Sequence, residues 1–243
     1  MALPKWLQAS EFEFRYRSPL NFVHFAIAFL AYYVDDINVV QAVVWWFAGS
    51  DEERARTLSH LIFGLGALLV FLAALIRTWA AAYLGSHIVH DRNLRANAIV
   101  ADGPFRYLRN PLYLGTFLLS VGLGLLTSRL GFVILVGGAI IRILRLIGRE
   151  EAILQAEQGE TFREYRRRVP RLLPALTPRV AASGMQPSWG QAFWGEAFMW
   201  GFFAGMATFA VTLRTRPTWI VMGAALLLWF LQSILGIGRK KPA

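Results

Sequence analysis

Between Ala101 and Gly115 the chain reads ADGPFRYLRNPLYLG, and four of its side chains, Arg106, Tyr107, Arg109 and Tyr113, are polar groups crowded directly in front of an apolar run. Guanidinium groups bind carboxylates and phosphates through paired hydrogen bonds, and the free N–H groups of a helix start favour the same anions. Asp102-Gly103-Pro104 is turn chemistry, and Asn110-Pro111 predicts a helix start with Asn as the cap and Pro in the first turn. A second polar cluster, Glu150-Glu151, follows another apolar run. If the two runs form a hairpin, arginines, tyrosines, a helix N-terminus and two carboxylates converge at one end of a helix bundle. Such a place suits a polar, zwitterionic ligand. Taken alone, the collar also reads as an interfacial anchor, since arginine and tyrosine are common at a membrane boundary.

The elements that must position these groups are membrane helices. The chain has 243 residues, 56% of them hydrophobic and only 16% charged. Apolar runs near the length needed to cross ~30 Å of hydrocarbon lie at Pro19 to Val34, Leu58 to Ile76, Leu112 to Leu126, Gly131 to Ile147, Ala192 to Leu213 and Trp219 to Ile237. These predict an all-α, polytopic helix bundle of about six spans. The third and fourth runs are short, so their ends must lean on interfacial side chains or neighbouring helices. The first eighteen residues hold Lys5, Glu11, Glu13, Arg15 and Arg17 without an apolar core, which argues against a cleavable signal peptide.

Net charge is +10, carried mainly by Lys5 to Arg17, Arg92 to Arg109, Arg142 to Arg179 and Arg239 to Lys241. With six spans these stretches fall on one side, which the positive-inside rule places in the cytoplasm together with both termini. Arg214 and Arg216 break the pattern. Basic residues beside spans fit attraction to anionic lipid headgroups, and no nucleic-acid partner is expected. The chain has no cysteine, which excludes disulfides and thiolate chemistry.

Three regions follow. Residues 1–57 hold the first span and an apolar stretch, INVVQAVVWWFAG, read as interfacial because Asp35-Asp36 precedes it. Residues 58–174 hold three spans and the collar, with a hairpin around Thr127-Ser128-Arg129 and an amphipathic cytoplasmic continuation of the fourth helix. There Ile143, Leu146, Ile147, Leu154, Phe162 and Tyr165 are spaced to hold to a surface, and Pro170 and Pro174 end the helix. Residues 175–243 hold a Pro/Gly/Ser-rich loop and a final helix pair, where Gly201 and Gly205 offer a close packing face. Gly64, Gly66, Gly122 and Gly124 lie inside apolar spans with no preceding strand, so they read as helix-packing positions and not as a dinucleotide fingerprint.

GPFRYLRNPLYLG resembles the GPYRYxRHPxYxG signature of the isoprenylcysteine carboxyl methyltransferase and phospholipid N-methyltransferase superfamily of integral membrane enzymes. Upstream, IRTWAAAYLG resembles that family's Arg-x-Trp-Ala segment; downstream, REEAILQAEQGETFREYRRRVPRLLP resembles its Glu-Glu, Phe, Tyr and Val-Pro-Arg series. The resemblance covers roughly Leu58 to Pro174. It implies methyl transfer from S-adenosylmethionine, held by the cytoplasmic ends of membrane helices, to a lipid or lipophilic acceptor such as a phospholipid amine or a prenylcysteine-like carboxylate.

It implies a cofactor site of Gly103, Pro104, Tyr107, Arg109, Asn110, Pro111, Tyr113, Leu114, Glu150 and Glu151, with Arg106, Asn110 and Glu151 at the chemistry. Arg77, Trp79, His87 and His90 fall to the acceptor side. No metal is required, since the sulfonium carries its own activation. Methyl-esterifying members have His where this chain has Asn110, which cannot act as a base.

The competing reading is a non-enzymatic small membrane transporter or assembly protein, in which the collar and the Glu pair are anchors. His87, His90 and Asp91 have the spacing of a metal pair, yet four histidines in all do not make the multi-histidine boxes of membrane desaturases. Arg166-Arg167-Arg168 reads as a surface run facing phosphate.

Overall fold

A computed structural model describes residues 8–84 and 101–235, with side chains through Leu231. His87, His90, Asp91, Lys5 and the basic stretch Arg239 to Lys241 lie outside the described residues. Within them every regular element is helical: α1 (Glu11–Arg15), α2 (Arg17–Leu30), α3 (Val39–Ala48), α4 (Glu52–Leu84), α5 (Pro111–Gly124), α6 (Arg129–Arg168), α7 (Trp189–Gly195), α8 (Ala197–Thr212) and α9 (Thr215–Leu235), with short 3₁₀ turns at Ala31–Tyr33 and Gly103–Arg106. The all-α expectation holds. Two helices, α4 and α6, are long and apolar enough to cross a membrane, and α3, α5, α8 and α9 are shorter apolar helices.

Helix α4 is the spine. It packs along α5 on one side and α8 on another, while α9 packs on α8 and α6 on α5. Small residues make the approaches of α5 and α8 to α4 close: a Cβ on Gly122 would strike Val70 Cγ2 at 2.5 Å, and one on Gly66 would strike Met206 Cε of α8 at 2.5 Å. Gly201 lies against Ala225 and Gly205 against Met222, so the final helix pair packs on its glycine face as its spacing predicts. Gly64 is different, for a Cβ there would meet open space, and it is not a packing position.

The hairpin at Thr127-Ser128-Arg129 forms as expected, with Ser128 capping α6 by accepting from the Gly131 amide. Asn38 locks that end of the bundle. Its Oδ1 caps α3, and its Nδ2 donates to the Leu125 and Thr127 carbonyls. Asp35 is the partner of Arg129 at 2.8 Å. INVVQAVVWWFAG contains helix α3, which buries Val40 and Val44 in the main core and leaves Trp45 and Trp46 exposed.

Helix α6 runs on far beyond the apolar stretch, as its sequence suggests, and bends at Gly159, whose φ of 53° is the left-handed conformation that glycine adopts readily. The apolar residues of that extension hold to protein. Phe162, Tyr165 and Val169 form their own buried cluster with Leu154 against it, and Ile143 and Ile147 pack beneath Tyr113.

Candidate functional site

The collar is built on a turn that only a residue tolerant of left-handed backbone takes without strain: Gly103 has φ 54°, and the Tyr83 ring lies where a Cβ would stand. Pro104 follows, buried, and its carbonyl accepts from the Tyr107 and Leu108 amides. Pro111 begins α5 with its missing N–H at a position where none is needed. Asn110 departs from its expected role, for its side chain does not cap α5; its Nδ2 instead donates to the Arg171 carbonyl at 3.0 Å.

The segment after α6 explains why. Expected only as a loop, it runs back along the collar as a strap. Arg109 N donates to Pro170 O, Ala175 N to Tyr107 O, Arg179 N to Arg106 O, and Ser188 N to Ala82 O of α4. Between these ties the buried Asp102 carboxylate accepts from the Ser183 hydroxyl and from the Ser183 and Met185 amides. Those hydrogen bonds, the Ser183 hydroxyl's first, hold the Asp102 carboxyl below its usual range.

The two clusters read from the sequence do meet. Arg109 Nη2 stands 3.0 Å from Glu151 Oε1, both side chains buried, while Arg109 Nη1 donates to the Arg166 and Val169 carbonyls at 2.6 and 3.1 Å. Burial draws the Arg109 pKa down and Glu151 opposes that shift. Its Nε is buried with no hydrogen-bond partner. Glu151 also takes Arg171, at 2.6 Å. One turn along α5, the Tyr113 hydroxyl donates to Glu150 Oε1 at 2.7 Å. Leu114, half-buried, donates its amide to Asn110 O and continues the α5 helix from the collar.

Other residues fall elsewhere. Arg106 points away from the Glu pair into the strap, donating from Nε to the Val180 carbonyl. Tyr107 and Trp79 pair their rings at 5.8 Å, joining collar to α4. Arg77 crosses from α4 to α5 and α8, where Glu196 takes it in two hydrogen bonds of 2.7 and 2.9 Å. Arg171 and Glu196 escaped sequence reasoning. Arg171 sits in the Val-Pro-Arg triplet that carried the resemblance and was readable from it; Glu196, a lone acid before an apolar helix, bore no pattern.

These features describe a bundle of apolar helices with a charged site at one end. The sequence model of the phospholipid methyltransferase family matches residues 61–160, a segment holding the collar and both glutamates. The resemblance read from the motifs is thereby confirmed. The chain is similar to the cobalt-zinc-cadmium resistance protein CzcN of Cupriavidus metallidurans, 32% identical over 120 residues, 49% of this chain and 52% of that protein. It is similar to the nickel-cobalt-cadmium resistance protein NccN of Alcaligenes xylosoxydans xylosoxydans, 28% identical over 120 residues, 49% of this chain and 53% of that protein. A third relative, the protein-S-isoprenylcysteine O-methyltransferase of Schizosaccharomyces pombe, is 29% identical over 92 residues, 37% of this chain and 39% of that protein. The chain thus spans about half the length, or less, of these curated relatives. No solved structure matches it.

Proposed function

We propose that this chain is a membrane methyltransferase that moves a methyl group from S-adenosylmethionine to a lipid or lipophilic acceptor. The observation that carries the reading is the convergence of Arg109 with Glu151 and of Tyr113 with Glu150 at the start of α5, inside the family-matched segment. The donor set suits the cofactor's polar groups. Arg109, with its unpartnered buried Nε, and the N–H groups opening α5 would hold a carboxylate, while Glu150 and Glu151 suit an ammonium and ribose hydroxyls.

When bound, the cofactor supplies a methyl group already activated on sulfonium. The residues of this chain then orient and enclose. Tyr113 fixes the Glu150 carboxylate, Glu151 fixes Arg109, and Gly103, Pro104 and the strap shape a wall that keeps water out. Asn110 and Arg106, placed by resemblance at the chemistry, contribute hydrogen bonds and charge without serving as a base. The acceptor enters sideways from the bilayer on the proposed side of Arg77 and Trp79, with Arg77 held by Glu196 and Trp79 by the Tyr107 ring. Six spans with both termini in the cytoplasm complete the proposed arrangement.

Incubation with methyl-labelled cofactor and a total lipid extract, followed by mass spectrometry, tests the acceptor class. Label on phospholipid amines or prenylcysteine-like carboxylates is expected; label confined to soluble or volatile products would overturn the lipophilic acceptor. Two relatives are named for metal resistance and not for methyl transfer, and the second reading, a non-enzymatic membrane transporter or assembly protein, predicts no cofactor binding.

A further inference from the structure

The buried pair Arg77–Glu196 poses its own problem. The side chains are 12% and 1% exposed, and the pair joins two helices of a membrane bundle. Stability does not account for it well, because desolvating two charges offsets most of their attraction and apolar residues of like volume usually serve as well. Ionisable residues that face the interior of such a bundle mark function more often than packing.

The other end of Arg77 indicates the function. Its Nη1 donates to the Leu112 carbonyl at 3.3 Å and to Thr116 Oγ1 at 3.0 Å, in the first two turns of α5, which carry Tyr113 between them. Its stem lies flush on that turn, since a Cβ on Gly115 would stand 2.5 Å from Arg77 Cγ. The guanidinium is aimed by Glu196, which opens α8 and is fully buried, and the adjacent Trp200 Nε1 donates to Thr78 Oγ1 at 3.1 Å beside it. A chain of contacts therefore runs from α8 through α4 to the start of α5, and there to Glu150 of α6. Glu196 lies outside residues 61–160, the segment that carries the family match.

We propose that Glu196 is a positioning residue of the methyl-transfer site: acting through Arg77 it sets the first turn of α5, and with it Tyr113 and Asn110, so that the C-terminal helices are an integral part of the site. This rests on the methyltransferase reading. It makes α7 to α9 more than an appendage, because a methyltransferase core ending near Pro174 would lack the carboxylate that aims Arg77.

Two variants test it, Glu196→Gln and the double Arg77→Met/Glu196→Met, each followed by thermal unfolding in detergent, hydrogen–deuterium exchange over residues 112–117, and S-adenosylmethionine titration. Glu196→Gln is expected to speed exchange over that turn and to weaken cofactor binding by about tenfold, the scale of one hydrogen bond to a charged group. The double variant leaves no unpaired charge, so its thermal midpoint returns toward that of the wild type while exchange stays fast and affinity stays low. Wild-type exchange and affinity in the double variant would overturn the inference. A wild-type protein that binds no cofactor would instead sink the methyltransferase reading, and the exchange measurement would still decide whether Glu196 sets the turn.

Discussion

Arg109 and Glu151 face each other at 3.0 Å across the junction of collar and α6, with side chains only 9% and 6% exposed. Removing one member of a buried pair leaves the other charge without its partner, a change that typically costs about 3–5 kcal/mol. Glu151→Gln is therefore expected to lower unfolding stability by roughly 3 kcal/mol, measured by thermal or denaturant unfolding in detergent. Arg171→Ala should cost less, since Arg171 is 33% exposed and water can replace it at Glu151. Equal, small losses for both would show that Glu151 is not the hub.

Glu150 separates from its neighbour. In Glu150→Gln the amide oxygen still accepts from the Tyr113 hydroxyl, so the fold is kept and what is lost is an acid that burial holds up at about 7, ready to ionise against a cation. Cofactor binding is expected to weaken by roughly 1–3 kcal/mol, the scale of a hydrogen bond to a charged group. Arg166→Ala and Arg167→Ala should leave affinity unchanged, Arg167 being exposed and Arg166 half-buried. Isotherms on variants that elute as the wild type does from size exclusion give the comparison, and an unchanged affinity for Glu150→Gln would remove Glu150 from the site.

At the other face of α6, Glu13 docks the N-terminal helix on Arg145 at 2.8 Å, and the hydrogen bond from Arg145 is the main reason its carboxyl is held down to about 2. A depressed carboxyl stabilises above its unfolded value, about 4.3, and that contribution disappears as pH falls through the folded value. Docking of α1 should thus loosen between about pH 4.3 and pH 2. Amide protection over residues 9–16, taken relative to the intrinsic exchange rate at each pH, should fall in that window, and Glu13→Gln should show low protection already at pH 6. A pH-independent profile would contradict the assignment.

Much of this arrangement was legible in the sequence because it rests on local rules. Gly103-Pro104 makes a turn, Pro111 opens a helix, and a short polar link between two apolar runs forces the hairpin that brings Glu150 and Glu151 beside the collar. What escaped rests on pairings distant in sequence. The strap from Pro170 to Ser188 has a loop's composition and no periodicity, yet Asp102, Tyr107, Arg109 and Asn110 all bond to it. Asn110 looked like a cap because its neighbours said so; the Arg171 carbonyl claims its amide instead. Glu196 is a single acid whose meaning comes wholly from Arg77, far along the chain.

The absence of cysteine makes the proposed topology directly testable, since one introduced thiol is the only one present. Asp51 and Glu157 are both exposed, and six spans put them on opposite sides of the membrane. In intact cells a membrane-impermeant maleimide should label Asp51→Cys and reach Glu157→Cys only after permeabilisation. Labelling of both, or the reverse pattern, would contradict the arrangement.

The collar and the glutamates beside it form the proposed cofactor site. Isothermal titration of purified protein in detergent with S-adenosylmethionine tests it most directly. Saturable binding is expected with a Kd in the micromolar range, on the order of −8 kcal/mol. No detectable heat with cofactor raised to millimolar concentration, from protein that elutes as a folded species, would contradict it and leave ADGPFRYLRNPLYLG an anchor at the membrane boundary.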